Sequence, residues 1–307
     1  MTGSTDKMPT PGELLQIRPG LQSVLAPNAS PMTFWGTNTF IIGEQDVVVI
    51  DPGPDNKEHL RNLLTALSGR TVHHILITHS HLDHSGLVGA LRDATNAPVL
   101  GFGNSRAGRS EVMERLIHAG MVEGGEGVDH DFQPDHCLED GSSIEGSWGR
   151  ITAIHTPGHM ANHMCFHWQD AIFTGDHVMG WASSLISPPD GDLTQFMESC
   201  RRLSQIDCSI YYPAHGAQIT DPAKRLVWLI RHRQEREMQI LEKLLARAMT
   251  IPALTESLYS DVPEHLQRVA QRNVFSHLID LVQRGKIQAV PEINLDAKYH
   301  FIEGSGG

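Results

Sequence analysis

Residues 72–84 read VHHILITHSHLDH, and this stretch decides the fold. Its first part, Val72–Thr78, is a short apolar run of the kind that forms a buried strand. The remainder, His79-Ser80-His81-Leu82-Asp83-His84, places four metal-capable side chains within six residues. At the end of a strand, His79 and His81 stand two residues apart and project to the same side. Asp83 and His84 then fall at the start of a helix read over Ser85–Thr95 and face a second position. Helix N-termini favour anions.

Three further β-like runs end in another such residue. They are His159 in Ile154-His155-Thr156-Pro157-Gly158-His159, Asp176 in Phe173-Thr174-Gly175-Asp176, and His215 in Tyr212-Pro213-Ala214-His215-Gly216. Gly or Pro flanks each, so the backbone can turn sharply toward a shared point. Imidazoles and carboxylates without thiolates suit zinc, with manganese and iron as alternatives. Buried Asp83 and Asp176 would be intolerable without compensating cations. His163, four residues after His159, reads as a packed side chain, with orienting a ligand or touching substrate as its functional alternative. His177 reads as a residue behind the site or in the pocket wall. The remaining histidines considered, among them His73, His74, His118, His232, His265 and His300, read as surface or hydrogen-bonded core residues.

Around these motifs, strand and helix alternate. Asn38–Gly43 and Val47–Asp51 form a hairpin across Gly43-Glu44-Gln45, Asn56–Leu67 has helical spacing, and Ala97–Phe102 is a strand. Residues 1–30 read as an irregular lead-in with one short strand. Residues 103–142 are loop-rich, interrupted by a helix over Ser110–Ala119, and read as a lid or binding loop or as a poorly packed excursion. Strands follow at Ile151–His155, Met164–Trp168, Ala171–Thr174 and Ile210–Tyr212, with a helix over Leu193–Leu203. After about Thr220 the text becomes helical: Ala223–Ala248, Ile251–Leu258, His265–Ala270 and Asn273–Arg284, the last stopped by Gly285. Ile287–Val290 and Tyr299–Ile302 complete a small hairpin, and the EGSGG tail reads as flexible. The charge run Arg231–Glu237 reads as a solvated helix face or an inter-domain contact. The division expected is a catalytic domain over 1–221 and a winged-helix-like domain over 222–307.

In order, HSHLDH, TPGH, GDH and PAHG resemble the metallo-β-lactamase superfamily. The resemblance implies an α/β fold, the αββα sandwich, over roughly residues 15–220. It implies that His79, His81 and His159 bind a first metal, that Asp83, His84 and His215 bind a second, and that Asp176 bridges them. Asp51, after the VVVI strand, matches an early aspartate that supports the site from behind. The implied activity is a binuclear hydrolase, with two divalent ions (Zn2+, or else Mn2+ or Fe2+) sharing a hydroxide that attacks an ester, thioester or lactone carbonyl, and with Asp83 relaying a proton. His232-Arg233 with Arg236-Glu237, and then Gln271-Arg272-Asn273-Val274 through Gly285-Lys286-Ile287, resemble the beta-lactamase-like protein 2 group, which appends a winged-helix-like domain. That group includes a single-strand endoribonuclease, so RNA is the alternative substrate. An iron-dependent oxygenase on the same fold ranks below both.

Composition narrows the partners. The chain has 307 residues and a formal charge of −12, and residues 1–221 carry 12 Lys and Arg against 26 Asp and Glu. An acidic body does not attract a polyanion from a distance, which favours a small-molecule substrate. Homo-oligomerisation is left open. No apolar run is long enough to span a membrane and the start lacks a secretory pattern, so a cytoplasmic location is expected. Cys137, Cys165, Cys200 and Cys208 form no CxxC pair and read as free buried thiols.

Overall fold

Alternation along the strands dictates the architecture. In β3 (Asn38–Gly43), Phe40 and Ile42 join one apolar cluster and Ile41 another. In β4 (Asp46–Ile50), Val48 and Ile50 join the first cluster, and Val47 and Val49 the second. A sheet that is apolar on both faces must be covered on both. The computed structural model, which describes residues 7–121, 127–260, 263 and 266–302, meets that demand with two stacked sheets and helices outside each.

The first sheet has the order β1-β2-β3-β4-β5-β6-β7, with β1 Leu14–Arg18, β2 Leu21–Leu25, β5 Thr71–Leu76, β6 Val99–Gly101 and β7 His136–Cys137. The second has the order β12-β11-β10-β9-β8, with β8 Ser143–Gly146, β9 Gly149–His155, β10 Met164–Trp168, β11 Ala171–Gly175 and β12 Ile210–Pro213. Between the sheets lie Phe40, Leu76, Phe166, Phe173 and Tyr212 among others. Helices α1 (Lys57–Ala66) and α3 (Val88–Thr95) cover the outer face of the first sheet through Leu63, Leu67 and Leu91. Helix α5 (Leu193–Leu203) and the start of α6 (Pro222–Ala246) cover the second through Phe196, Leu203 and Leu229.

The topology fixes where the ligands meet. Strand β10 is antiparallel to both β9 and β11, and β11 is parallel to β12. Strands β9, β11 and β12 therefore run the same way, and their C-terminal ends share one edge. Met164 N–H donates to the Thr78 carbonyl at 2.7 Å and joins the end of the first sheet to that edge.

The C-terminal part has its own core. It comprises the rest of α6, α7 (Ile251–Leu258), α8 (Gln267–Gln283) and a small sheet of order β13-β15-β14, with β13 Met249–Thr250, β14 Ile287–Val290 and β15 Lys298–Phe301. Val112, Met113 and Leu116 of α4 (Glu111–His118) enter this core beside Val274, Leu278 and Tyr299. The loop-rich segment around α4 also braces the histidine turn. Leu82 N–H donates to the Gly127 carbonyl at 2.7 Å, and Asp129 N–H to the Ser80 carbonyl at 2.8 Å.

Several expectations are corrected. The lead-in forms two paired strands, β1 and β2, turned at Gly20, whose φ of 72° suits glycine. The helices read separately at the end are one, α8, because Gln271-Arg272-Asn273 holds no breaker. The expected start at His265 and the EGSGG tail lie outside the described residues. Cys137 is exposed, whereas Cys165 and Cys200 are buried. The helix read from Ser85 divides into α2 (Leu82–Ser85) and α3. No helix among the described residues is long and apolar enough to cross a membrane.

His59 gives the fold an acid sensitivity. Its ring is buried against the Thr39 hydroxyl at 3.0 Å, and burial pushes its pKa from 6.5 down to about 4. Between those pH values the unfolded chain takes up a proton that the folded chain refuses. The stability His59 contributes is thus full above pH 6.5 and is lost as pH falls to 4, by up to about 3 kcal/mol. Urea denaturation at pH 7 and pH 4.5 should show a smaller difference for His59→Asn than for the wild type. Equal differences would exclude this residue as the cause.

Candidate metal centre

Each candidate side chain is set by a local turn at the shared edge. His79 follows β5 by three residues, and His81 precedes α2, whose first turn carries Asp83 and His84. His159 follows β9, Asp176 follows β11 directly, and His215 follows β12. Gly175, with φ 48°, makes the turn into Asp176; a β-carbon there would lie 2.6 Å from His163 Nε2 and 2.9 Å from the Thr78 side chain.

Two ligand-ready clusters result. His81 Nδ1 lies 2.9 Å from His79 Nε2 and 3.1 Å from His159 Nε2. Asp83 Oδ2 lies 3.2 Å from His215 Nε2 and 3.5 Å from His84 Nε2. Asp176 stands between them: Oδ1 is 3.2 Å from His215 Nε2 and 3.6 Å from His84 Nε2, and Oδ2 is 3.7 Å from His159 Nε2. Tetrahedral zinc, with Zn–N near 2.0–2.1 Å, sets its ligand atoms about 3.3 Å apart. Both clusters are close to that spacing. The trios His79–His81–His159, His79–His84–Asp176 and Asp83–His84–His215 could each hold a metal ion.

The outer nitrogens explain why the inner ones converge. His84 Nδ1–H donates to Asp51 Oδ2 at 2.9 Å, His159 Nδ1–H to the Leu185 carbonyl at 2.7 Å, and His215 Nδ1–H to the Gly36 carbonyl at 3.1 Å. His79 Nδ1 meets the Thr78 hydroxyl at 3.0 Å, and that hydroxyl donates to Asp51 Oδ2 at 2.7 Å. Each of these four rings spends its far nitrogen on an acceptor and turns its near nitrogen inward, the arrangement a metal-binding histidine needs. Buried His84 Nε2 and Asp176 Oδ1 make no hydrogen bond of good geometry, as expected of atoms shaped for a cation.

Charge separates the two clusters. Burial, reinforced by neighbouring imidazoles, holds His79 well below its usual range and takes His81 to about 3; burial also lowers His159. These three rings are neutral donors. Burial works against charge on His84 and His215 too, but the facing carboxylates overcome it, raising His84 to about 9 and His215 well above 6.5. Burial would raise Asp83 and Asp176, yet the same histidines hold both below the ordinary carboxylate range. The protons on His84 and His215 are held by the facing Asp83 and Asp176 and, for His84, also by Asp51, and a bound cation would displace them.

Asp51, His163 and His177 differ in their relation to the centre. Asp51, held at φ 50°, accepts from Thr78 N–H at 2.8 Å as well as from Thr78 Oγ1 and His84. His163 stacks on His79 at 5.1 Å, and its Nε2 accepts from Asp176 N–H at 3.2 Å, so it fixes a ligand's backbone from behind. The His177 ring turns into the interior, 4.5 Å from Phe196 and 3.5 Å from Cys200 Sγ, and forms no pocket wall. Sequence reasoning does not reach the Gly36 and Leu185 carbonyls, because backbone acceptors carry no residue signature, nor the Thr78 hydroxyl that relays from His79 to Asp51.

The rim is aromatic. Phe34 stacks on Trp181 at 4.9 Å and on Trp35 at 5.1 Å. Phe34 is 41% and Trp181 37% exposed, and both lie against Gly216, the neighbour of His215.

The Metallo-beta-lactamase superfamily model matches residues 32–215, and the Beta-lactamase associated winged helix domain model matches residues 250–293. The chain is similar to Lactamase-like protein adaB of Aspergillus niger, with 30% identity over 287 residues covering 87% of this chain and 82% of that protein. It is also similar to the Atrochrysone carboxyl ACP thioesterase of Passalora fulva, with 28% identity covering 82% and 72%. Among solved structures, a beta-lactamase domain protein from Burkholderia ambifaria superposes with a TM-score of 0.79 at 17% identity, covering 97% of this chain and 96% of that one. The chain is therefore a hydrolase of the metallo-β-lactamase superfamily that carries a β-lactamase-associated winged helix domain.

Proposed function

We propose that the protein is a binuclear, zinc-dependent hydrolase that cleaves an acyl thioester or a related activated ester. The observation that carries this reading is the convergence of seven side chains on two adjacent clusters, with Asp176 between them. His79, His81 and His159 would hold one ion, Asp83, His84 and His215 the other, and Asp176 would touch both. When bound, such ions supply Lewis acidity and lower the pKa of water toward about 7. The same reading puts the division between the domains at 221/222, the start of α6, with the first turns of α6 still packed on the second sheet and α4 reaching into the C-terminal core.

The chain's own residues then do the rest. Asp83, whose side chain is 28% exposed, is the more open of the two carboxylates, Asp176 being 10% exposed. Its outer carboxylate oxygen takes the proton released as water attacks the carbonyl carbon and passes it to the leaving thiolate. The buried histidines keep the donor set rigid. The acyl group lies on the Phe34–Trp181 shelf beside His215. The thioester preference draws on the thioesterase relative and on the net charge of −12, which disfavours a polyanion such as single-stranded RNA.

The test is turnover of a panel of aryl and alkyl thioesters, lactones and a labelled RNA oligonucleotide by zinc-loaded protein. Thioester cleavage that is lost on chelation and restored by zinc is the expected result; cleavage of RNA alone would overturn the reading. Phe34→Ala and Trp181→Ala are expected to raise KM for aryl thioesters about fivefold and to change kcat little, since a stacked aromatic contact is worth about 1 kcal/mol. An unchanged KM would remove the shelf from the binding site.

A further inference from the structure

Arg233 lies in a charged run at the middle of α6, yet it is 2% exposed. Burying a guanidinium is costly, and a carboxylate usually sits beside one. Here the hydrogen-bond acceptors are neutral. Nη2 donates to the Ser184 carbonyl and Nη1 to Asn273 Oδ1 at 2.8 Å, while the guanidinium carbon lies 5.3 Å from the Phe196 ring centroid. Asn273, on α8, is itself held by Tyr259, to whose hydroxyl its amide donates at 3.2 Å.

What Arg233 grips is the hub of the loop after β11. The Ser184 hydroxyl reaches the carbonyl oxygens of Asp176 at 2.5 Å and His177 at 2.9 Å. The next residue, Leu185, offers the carbonyl that receives His159 Nδ1–H. One peptide step therefore touches two candidate ligands that come from different strand ends. Arg272 of α8 holds the same loop further on, donating to the Pro188 carbonyl at 2.5 Å. Among the described residues, the groups that orient His79, His84 and His215 are Thr78, Asp51 and the Gly36 carbonyl, which lie outside the C-terminal helices.

We propose that Arg233 is a positioning residue of the metal centre, through which the C-terminal helices set the orientation of His159 and Asp176. This rests on the binuclear reading of the site. It gives the C-terminal part a role in the chemistry of the first domain, and it places that role at the His79–His81–His159 side more than at the Asp83–His84–His215 side. A deleted positioning partner of a ligand weakens metal binding by about 10–100-fold.

The test loads the full chain with cobalt(II) and compares the wild type with Arg233→Met, Arg233→Lys, Asn273→Ala and the interface control Thr194→Val, which removes the 2.7 Å bond from Thr194 to Asp280. Affinity for each ion is read by competition with a chromophoric chelator, geometry by the visible cobalt bands, and turnover as kcat and KM separately. Arg233→Met is expected to weaken one of the two ions at least tenfold, shift the bands and lower kcat more than it raises KM. Arg233→Lys, which keeps a donor, should recover part of this, and Asn273→Ala should move the same way by less. Thr194→Val should lower the denaturation midpoint and leave the bands alone. If Arg233→Met does not fold, Arg233→Lys and Asn273→Ala decide by the same criteria. Wild-type affinities and bands in the Arg233 and Asn273 variants would overturn the proposal, as would a Thr194→Val shift of equal size. A wild type that binds fewer than two ions would instead overturn the binuclear reading beneath it.

Discussion

Asp176→Asn is expected to fold as the wild type does, to bind one divalent ion where the wild type binds two, and to lose at least about 10³-fold in kcat/KM on a thioester, or some 4 kcal/mol of transition-state stabilisation. Asp176 is the only candidate ligand with oxygens directed at both clusters, Oδ1 toward His84 and His215 and Oδ2 toward His159. A carboxamide has the same shape, but it carries no charge and presents N–H groups to one of those clusters. The cluster that meets the carbonyl oxygen keeps a fourth donor and its ion, while the one that meets the N–H groups loses both. Cobalt titration with steady-state kinetics checks this, and circular dichroism reports the fold. Two tightly held ions with kcat/KM within tenfold of the wild type would remove Asp176 from the centre.

The second large effect concerns stability as well as catalysis. Asp51→Ala is expected to destabilise the metal-free protein by about 3–5 kcal/mol. The change strips acceptors from three buried donors, Thr78 N–H, Thr78 Oγ1–H and His84 Nδ1–H, and an orphaned buried donor costs about 1–3 kcal/mol. The costs overlap, because Thr78 and His84 relax together. Asp51→Asn separates the two roles. Its oxygen can still accept from Thr78 N–H, while its amide group would face Thr78 Oγ1 and His84 Nδ1. The hydroxyl can turn and accept. His84 can accept only by giving up its Nδ1 proton and keeping the one on Nε2, the atom that faces Asp83 and Asp176. The asparagine variant should therefore recover most of the stability and still bind metal about 10–100-fold more weakly. Denaturant midpoints and chelator competition read the two effects independently. Equal metal affinity in Asp51→Asn and the wild type would show that His84 does not need this tautomer.

Much of this site was legible in the chain because strand ends and turn residues mark themselves. His79 and His81 follow an apolar run, Gly175 announces the turn into Asp176, and Pro213 and Gly216 bracket His215. The αββα arrangement came with the resemblance carried by the ordered motifs, and the core sorting of Phe40 and Ile42 from Ile41 shows why both faces of the first sheet are covered. The parts that were not legible belong to a different physics. Leu185 and Gly36 act through backbone carbonyls, which every residue has. Arg233 sits in a run of alternating charge that reads as a helix face or a contact between domains, and only packing against Ser184 and Phe196 shows that it is buried. The place of α4 in the C-terminal core was hidden by the loops on either side of it.

The central claim is that five histidines and two aspartates cage a pair of cations. Anomalous scattering from a crystal of the zinc-loaded protein, measured on both sides of the zinc edge, tests it most directly. The account predicts two peaks about 3.5–4 Å apart, one among His79, His81 and His159, the other among Asp83, His84 and His215, with Asp176 reaching both. A single peak, or none with these side chains turned apart, would contradict it.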